Sequence, residues 1–122
     1  MKRIFQLLFL SFYLISQAQN LKIIQKPIDY SKERMKLSLD YMKDHHNLIQ
    51  KTPNITPKII ILHYTAGGTI ESNFRYFNNL YLENHRATLK NQSPLNVSAH
   101  FLVDRDGTVY QLVDPELFTR HT

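Results

Sequence analysis

The chain has no cysteine among its 122 residues. Disulfides, cysteine nucleophiles and lipid attachment through an amino-terminal cysteine are therefore excluded. It also lacks an apolar run long enough to cross a bilayer. The longest runs from Ile4 to Ile15, 12 residues interrupted by Gln6, Ser11 and the hydroxyl of Tyr13, against the roughly 20 that a membrane-spanning helix needs. Charge is not concentrated. The formal net charge is +5, but the basic residues are spread along the chain without a stripe, which argues against nucleic acid as a partner. Such an excess favours an anionic matrix only mildly. There is no internal repeat, no low-complexity tract and no phosphate-cradling glycine motif. Gly67-Gly68 alone implies a tight turn.

What is present begins at the amino end. Met1-Lys2-Arg3 is basic, the apolar stretch follows, and Ser16-Gln17-Ala18 places small residues three and one before a cleavage point. This is the pattern of a secretory signal peptide cut after Ala18, an uncleaved anchor being the alternative. A cut there removes 18 residues and two positive charges, leaving 104 residues at +3. That is enough to bury one small core.

The rest of the chain is organised around Lys58 to Gly68, KIIILHYTAGG. Ile59 to Leu62 are uninterrupted, mostly β-branched apolar residues behind Pro57, which predicts a central strand covered on both faces. The run ends in His63, Tyr64 and Thr65 before Ala66-Gly67-Gly68. A histidine where a buried strand meets a glycine loop lies where α/β sheets place ligands. Alternation puts it on the face of Ile59 and Ile61. It reads either as a hydrogen-bonded strand-end histidine or as a metal ligand.

Around this strand the pattern predicts an α/β domain with a mixed sheet and flanking helices. Leu21 to Ile24 reads as a short β-arm ended by Pro27. Ser31 caps a helix over Lys32 to His46, with Met35, Leu39, Met42 and His46 at spacings of four, three and four. Adjacent His45 and His46 point about 100° apart on a helix and do not share an ion. Thr69 caps a second helix with Glu71 in its first turn, and Ile70, Phe74 and Phe77 on one face. Arg75, Arg86 and Lys90 read as a solvated face, and His85 as exposed. NVSAHFLV and TVYQLV read as hairpin strands joined by a two-residue Asp106-Gly107 turn. Asp114-Pro115 ends the second strand, and Glu116 to Thr122 is irregular.

Two separated stretches, IILHYTAGG and NVSAHFLVDRDGTVYQLV followed by RHT, together resemble the zinc-dependent N-acetylmuramoyl-L-alanine amidases of the type 2 class, a family shared with peptidoglycan recognition proteins. The resemblance covers Lys58 to Thr122. It implies an amidase type 2-like α/β fold and a hydrolase that cuts the amide between N-acetylmuramic acid and L-alanine of peptidoglycan. It also implies Zn2+ as cofactor and a location in the periplasm or outside a bacterium.

By the same resemblance His63 matches the family's first zinc ligand and His121 a histidine beside the substrate groove. The remaining two ligands and the catalytic glutamate of the family fall beyond Thr122, and Ala99 stands where some relatives carry an assisting tyrosine. No catalytic residue is assigned in this chain. The expectation is a signal peptide over 1–18, an amino-terminal extension with one helix over 19–57, and the first part of an amidase domain over 58–122. On that expectation the chain taken alone is nearly inactive. It is otherwise a non-catalytic peptidoglycan binder or a product without function. His100, one residue from Ala99, turns to the opposite face and reads as a buried, hydrogen-bonded histidine.

Overall fold

In the computed structural model, residues 21–121 are described. The signal-peptide reading of residues 1–18 lies outside them. Six of the named elements are α-helices and β-strands: β1 (Ile23–Gln25), α1 (Lys32–His46), α2 (Ile70–Asn78), α3 (Ala87–Lys90), β2 (Phe101–Val103) and β3 (Val109–Gln111). A 3-10 turn at Asn84–Arg86 leads into α3. The strands form a mixed three-stranded sheet in the order β1-β3-β2. The α/β class expected from the sequence holds.

The hairpin forms because two β-prone runs flank a turn. β2 and β3 pair antiparallel, Phe101 with Gln111, Leu102 with Tyr110 and Val103 with Val109. The connection is longer than a two-residue turn. Asp104 N donates to Thr108 O at 2.9 Å and Gly107 N to Asp104 O at 3.0 Å, so Arg105, Asp106 and Gly107 form a three-residue loop. Gly107 takes the left-handed position (φ 85°) that this loop type requires. Upstream of Phe101 the expected strand does not continue in the sheet. Its backbone turns to other partners instead: Asn96 N donates to Leu80 O and Ser98 N to Arg120 O.

β1 is the expected β-arm, one or two residues later than the apolar run suggested. It pairs parallel with β3, Ile23 with Val109 through Gln25 with Gln111. Lys26 N and Ile28 N extend the ladder to Gln111 O and Leu112 O, both at 2.9 Å. Ile28, Leu102, Leu112 and Val113 make the core, and α2 lays Ile70, Phe74 and Phe77 against it. A reciprocal capping box starts α2: Ser72 N donates to Thr69 Oγ1 and Thr69 N to Ser72 Oγ.

Helix α1 has the predicted bounds. Ser31 Oγ accepts from Arg34 N at the start, and Asn47 in the left-handed region (φ 55°) ends it with a bond to Lys43 O. Its inward face differs from the apolar spacing. Arg34, Ser38, Tyr41 and Met42 are buried, whereas Met35 and Leu39 are half-covered and His46 is exposed. The cause is Arg34, 1% exposed. Its Nε donates to Asp29 O at 2.8 Å, and its Nη2 to Asn78 O at 2.9 Å and Asn79 O at 3.0 Å. The guanidinium thus satisfies carbonyls at the carboxyl end of α2, which helix geometry leaves unpaired. Burial holds it below its ordinary pKa, opposed by the nearby Asp29 carboxylate. Through Arg34, α1 packs against α2.

A further expectation fails. Lys58 to Leu62 is not a central strand: it belongs to no strand or bridge, and Ile59, Ile60, Ile61 and Leu62 are 80%, 89%, 55% and 91% exposed. A strand needs a neighbour for its backbone N–H and C=O groups, and an all-apolar one needs cover on both faces. Among the described residues β1 and β3 take each other, β2 takes β3, and the core is already closed by α2. The outer edges of β1 and β2 do not take this run up, and no described element covers its two faces.

Candidate functional site

His63 lies at the surface, at the end of the exposed run. The loop after it carries an unusual backbone: Ala66 has φ 61°, Gly67 152° and Gly68 82°. Gly68 is needed for a second reason, because a Cβ there would meet Ser72 Oγ at 2.7 Å. The loop is tied to the first turns of α2 by Asn73, whose Nδ2 donates to Gly67 O at 3.2 Å, while Thr65 Oγ1 donates to Gly67 O at 3.4 Å. The apolar run therefore fails as a strand, yet the loop that follows is anchored at the helix start.

His121 reaches the same place from the other end. Its neighbour Arg120 is buried, 1% exposed. Arg120 Nη1 donates to Ser93 O at 3.0 Å and Leu95 O at 2.8 Å, and Nη2 to Leu89 O at 3.1 Å. With Ser98 N bonded to Arg120 O at 2.7 Å, the irregular tail is pinned one residue before His121. The two rings stand side by side: the centroids of His63 and His121 are 5.2 Å apart, with an interplanar angle of 43°. Both predicted site residues are thus brought together. Arg120 and Asn73, which hold the two segments, were not singled out. An arginine in an irregular tail and an asparagine inside a helix carry no pattern that marks them.

The other histidines have structural partners. His100 is half-buried with Nε2 2.8 Å from Leu117 O, in keeping with the hydrogen-bonded reading. His45 stacks on Tyr41 at 4.2 Å and lies 3.2 Å from Gln92 O. His46 faces Tyr41 and Phe118 edge-on or tilted. His85 is exposed, 3.2 Å from Glu83 Oε2.

Neutral imidazole nitrogens ligate zinc and other transition metals. A catalytic zinc takes three protein ligands and keeps one position open. Among the described residues no group of three or more His, Cys, Asp or Glu side chains is placed to hold an ion. His63 and His121 offer two nitrogens at most, so the described residues by themselves do not fit a catalytic zinc, and no chemical step is drawn through one.

The family model for N-acetylmuramoyl-L-alanine amidase (Amidase_2) matches residues 51–122, which include both histidines and the hairpin. The chain belongs to this amidase family. Its members act on peptidoglycan and are generally zinc-dependent. Comparison with curated proteins and with solved structures gives no match. No helix among the described residues is long and apolar enough to cross a membrane.

Proposed function

We propose that the protein takes part in hydrolysis of the amide joining N-acetylmuramic acid to L-alanine in bacterial peptidoglycan, outside the cytoplasm, in the periplasm or at the cell exterior. The observation that carries this reading is the family match over 51–122 together with the meeting of His63 and His121 inside it. His63 would stand as the family's first zinc ligand, and only a complete three-ligand site would supply the water activation and carbonyl polarisation that such an ion offers. His121, one ring away, contacts the substrate. The basic, apolar and small-residue order of residues 1–18 supports export.

The test is incubation of the zinc-loaded protein with purified sacculi. Release of stem peptides with a new L-alanine amino terminus, abolished by His63→Ala, supports the reading. Intact sacculi, with the protein neither cutting nor pelleting with them, would refute it. A second reading, peptidoglycan binding without hydrolysis, is favoured by there being two rather than three candidate ligands among the described residues. Pelleting with sacculi without peptide release selects it.

A further inference from the structure

The apolar run Ile59 to Leu62, continued by Tyr64 at 88% exposure, is bare in both senses. Its side chains face solvent, and its backbone enters no strand, bridge or hydrogen bond among the described residues. Both of its ends are nevertheless fixed. On the amino side Ile55 N donates to Glu116 O at 2.7 Å and Phe118 N to Pro53 O at 2.8 Å. On the carboxyl side the glycine loop is held by Asn73. Ala66 is the first residue after the run with a positive φ, so nothing in φ opposes an extended backbone over 58–65. The run is thus an apolar arc held out on two anchors, which lowers the ordering cost of any association.

We propose that this arc is a self-association surface, and that its partner is the same arc of a second copy, paired antiparallel about a two-fold axis between Ile60 and Ile61. The reading does not depend on hydrolase activity. The run asks for backbone partners along its length, and its own sequence supplies them: Ile59 opposite Leu62 and Ile60 opposite Ile61, with no charge between. A net charge of +5 works against the meeting of like copies. Antiparallel geometry answers this at the contact itself. It puts the two Lys58 residues at opposite ends of the pair, about 17 Å apart at the rise of a strand. That exceeds the Debye length of about 10 Å at about 0.1 M salt, whereas a parallel pair would set Lys58 against Lys58.

Area sets the strength. An exposed aliphatic side chain carries on the order of 100 Å2 of apolar surface, and a tyrosine more. Two copies of Ile59 to Leu62 and Tyr64 bring together roughly 1,000 Å2, the lower bound for a specific interface. The dimer is therefore reversible, dissociated near about 1 μM and formed near about 200 μM.

The experiment is sedimentation equilibrium of the full chain across that range, on the wild type, Ile60→Lys and Ile49→Lys. Both isoleucines are exposed, at 89% and 85%, so the variants keep the fold, which far-ultraviolet circular dichroism checks. The expected limit is twice the 14.4 kDa chain mass. Ile60→Lys places a lysine in the middle of the pair from each copy and should weaken it at least about tenfold. Ile49→Lys should leave it unchanged. Association that survives Ile60→Lys arises elsewhere in the chain and overturns the proposal. Growth beyond a dimer does so too, because it marks a head-to-tail contact such as the run of one copy on the β2 edge of the next.

A second measurement reads the register. The chain has no cysteine, so introduced thiols report contacts cleanly. An equal mixture of Ile60→Cys and Ile61→Cys should cross-link on mild oxidation, with little from either variant alone, since facing residues lie on the same side of the pair. Equal cross-linking of each variant with itself shows unordered apolar contact and overturns the strand pair. A chain that stays monomeric at about 200 μM also overturns it. If that monomer pellets with phosphatidylglycerol vesicles and Ile60→Lys does not, the arc docks on lipid instead.

Discussion

The guanidinium carbon of Arg120 lies 5.0 Å from the centre of the Tyr41 ring, joining the irregular tail to α1. The same guanidinium donates to three carbonyls, those of Ser93, Leu95 and Leu89. Removing it uncovers buried acceptors, each worth about 1–3 kcal/mol when left unsatisfied. Arg120→Met should therefore lower stability by about 3 kcal/mol or more, read as a fall in the urea midpoint. It should also broaden the His121 ring resonance, since the anchor beside it is gone.

Arg34 gives a sharper test of geometry against charge. Its fork spans Asp29 O, Asn78 O and Asn79 O. A lysine keeps the charge but is a single point donor. Arg34→Lys should cost about 2 kcal/mol or more, because carbonyls at the end of α2 lose their donors. A variant with wild-type urea stability would show that charge alone holds α1 to α2.

The turn aspartate sets a pH dependence. Asp106 Oδ1 accepts from Thr108 N at 2.9 Å, and that backbone bond holds its carboxyl below the usual carboxylate range. A depressed folded-state value contributes stability that is present above the unfolded value, about 3.9 for aspartate. That contribution is lost as pH falls through the folded value. Acidification from pH 6 to below pH 4 should destabilise the wild type more than Asp106→Asn, as compared by urea midpoints at each pH.

Gly68 combines a left-handed φ of 82° with a blocked Cβ position. Alanine there meets both penalties, and the backbone term alone is about 1–2 kcal/mol. Gly68→Ala should lower the thermal midpoint through both penalties, whereas Gly67→Ala, strained at φ 152° but with open space around its Cβ, should lack the steric part of the cost. Equal effects at the two positions would argue against the close approach to Ser72.

The exposed run predicts the opposite of a core. Ile60 is 89% exposed, so Ile60→Lys should change stability by no more than about 0.5 kcal/mol. A buried central strand would lose several times that. The same variant should reduce concentration-dependent light scattering, because a charge interrupts a contiguous apolar surface.

How much of this was legible beforehand depended on whether the deciding contact was local. The caps at Ser31 and Thr69 lie within three residues of their partners, and both helices began where the sequence indicated. The hairpin was visible from its alternation, although its three-residue loop depended on backbone bonds between Asp104, Gly107 and Thr108 that the Asp-Gly pair alone does not distinguish from a two-residue turn. The face of α1 was misread because apolar spacing ignores a buried arginine, whose partners are carbonyls more than 40 residues away. Ile59 to Leu62 had strand composition, but strand formation is settled by neighbours, which composition does not supply. His63 stands out where the apolar run meets the glycine loop, and His121 only through the family resemblance. Their approach to one another came from Asn73 and Arg120, whose roles are tertiary.

Gln25 and Gln111 pair across the parallel ladder at a separation of 86 residues, their side chains joined at 3.1 Å. Contacts so distant along the chain are the slow ones in folding, because the loop between them must be ordered first. The first strand cannot find its place until the third has been synthesised. Until Gln111 has left the ribosome the arm at Gln25 has no ladder to join, so this edge of the sheet closes only once the hairpin is in place.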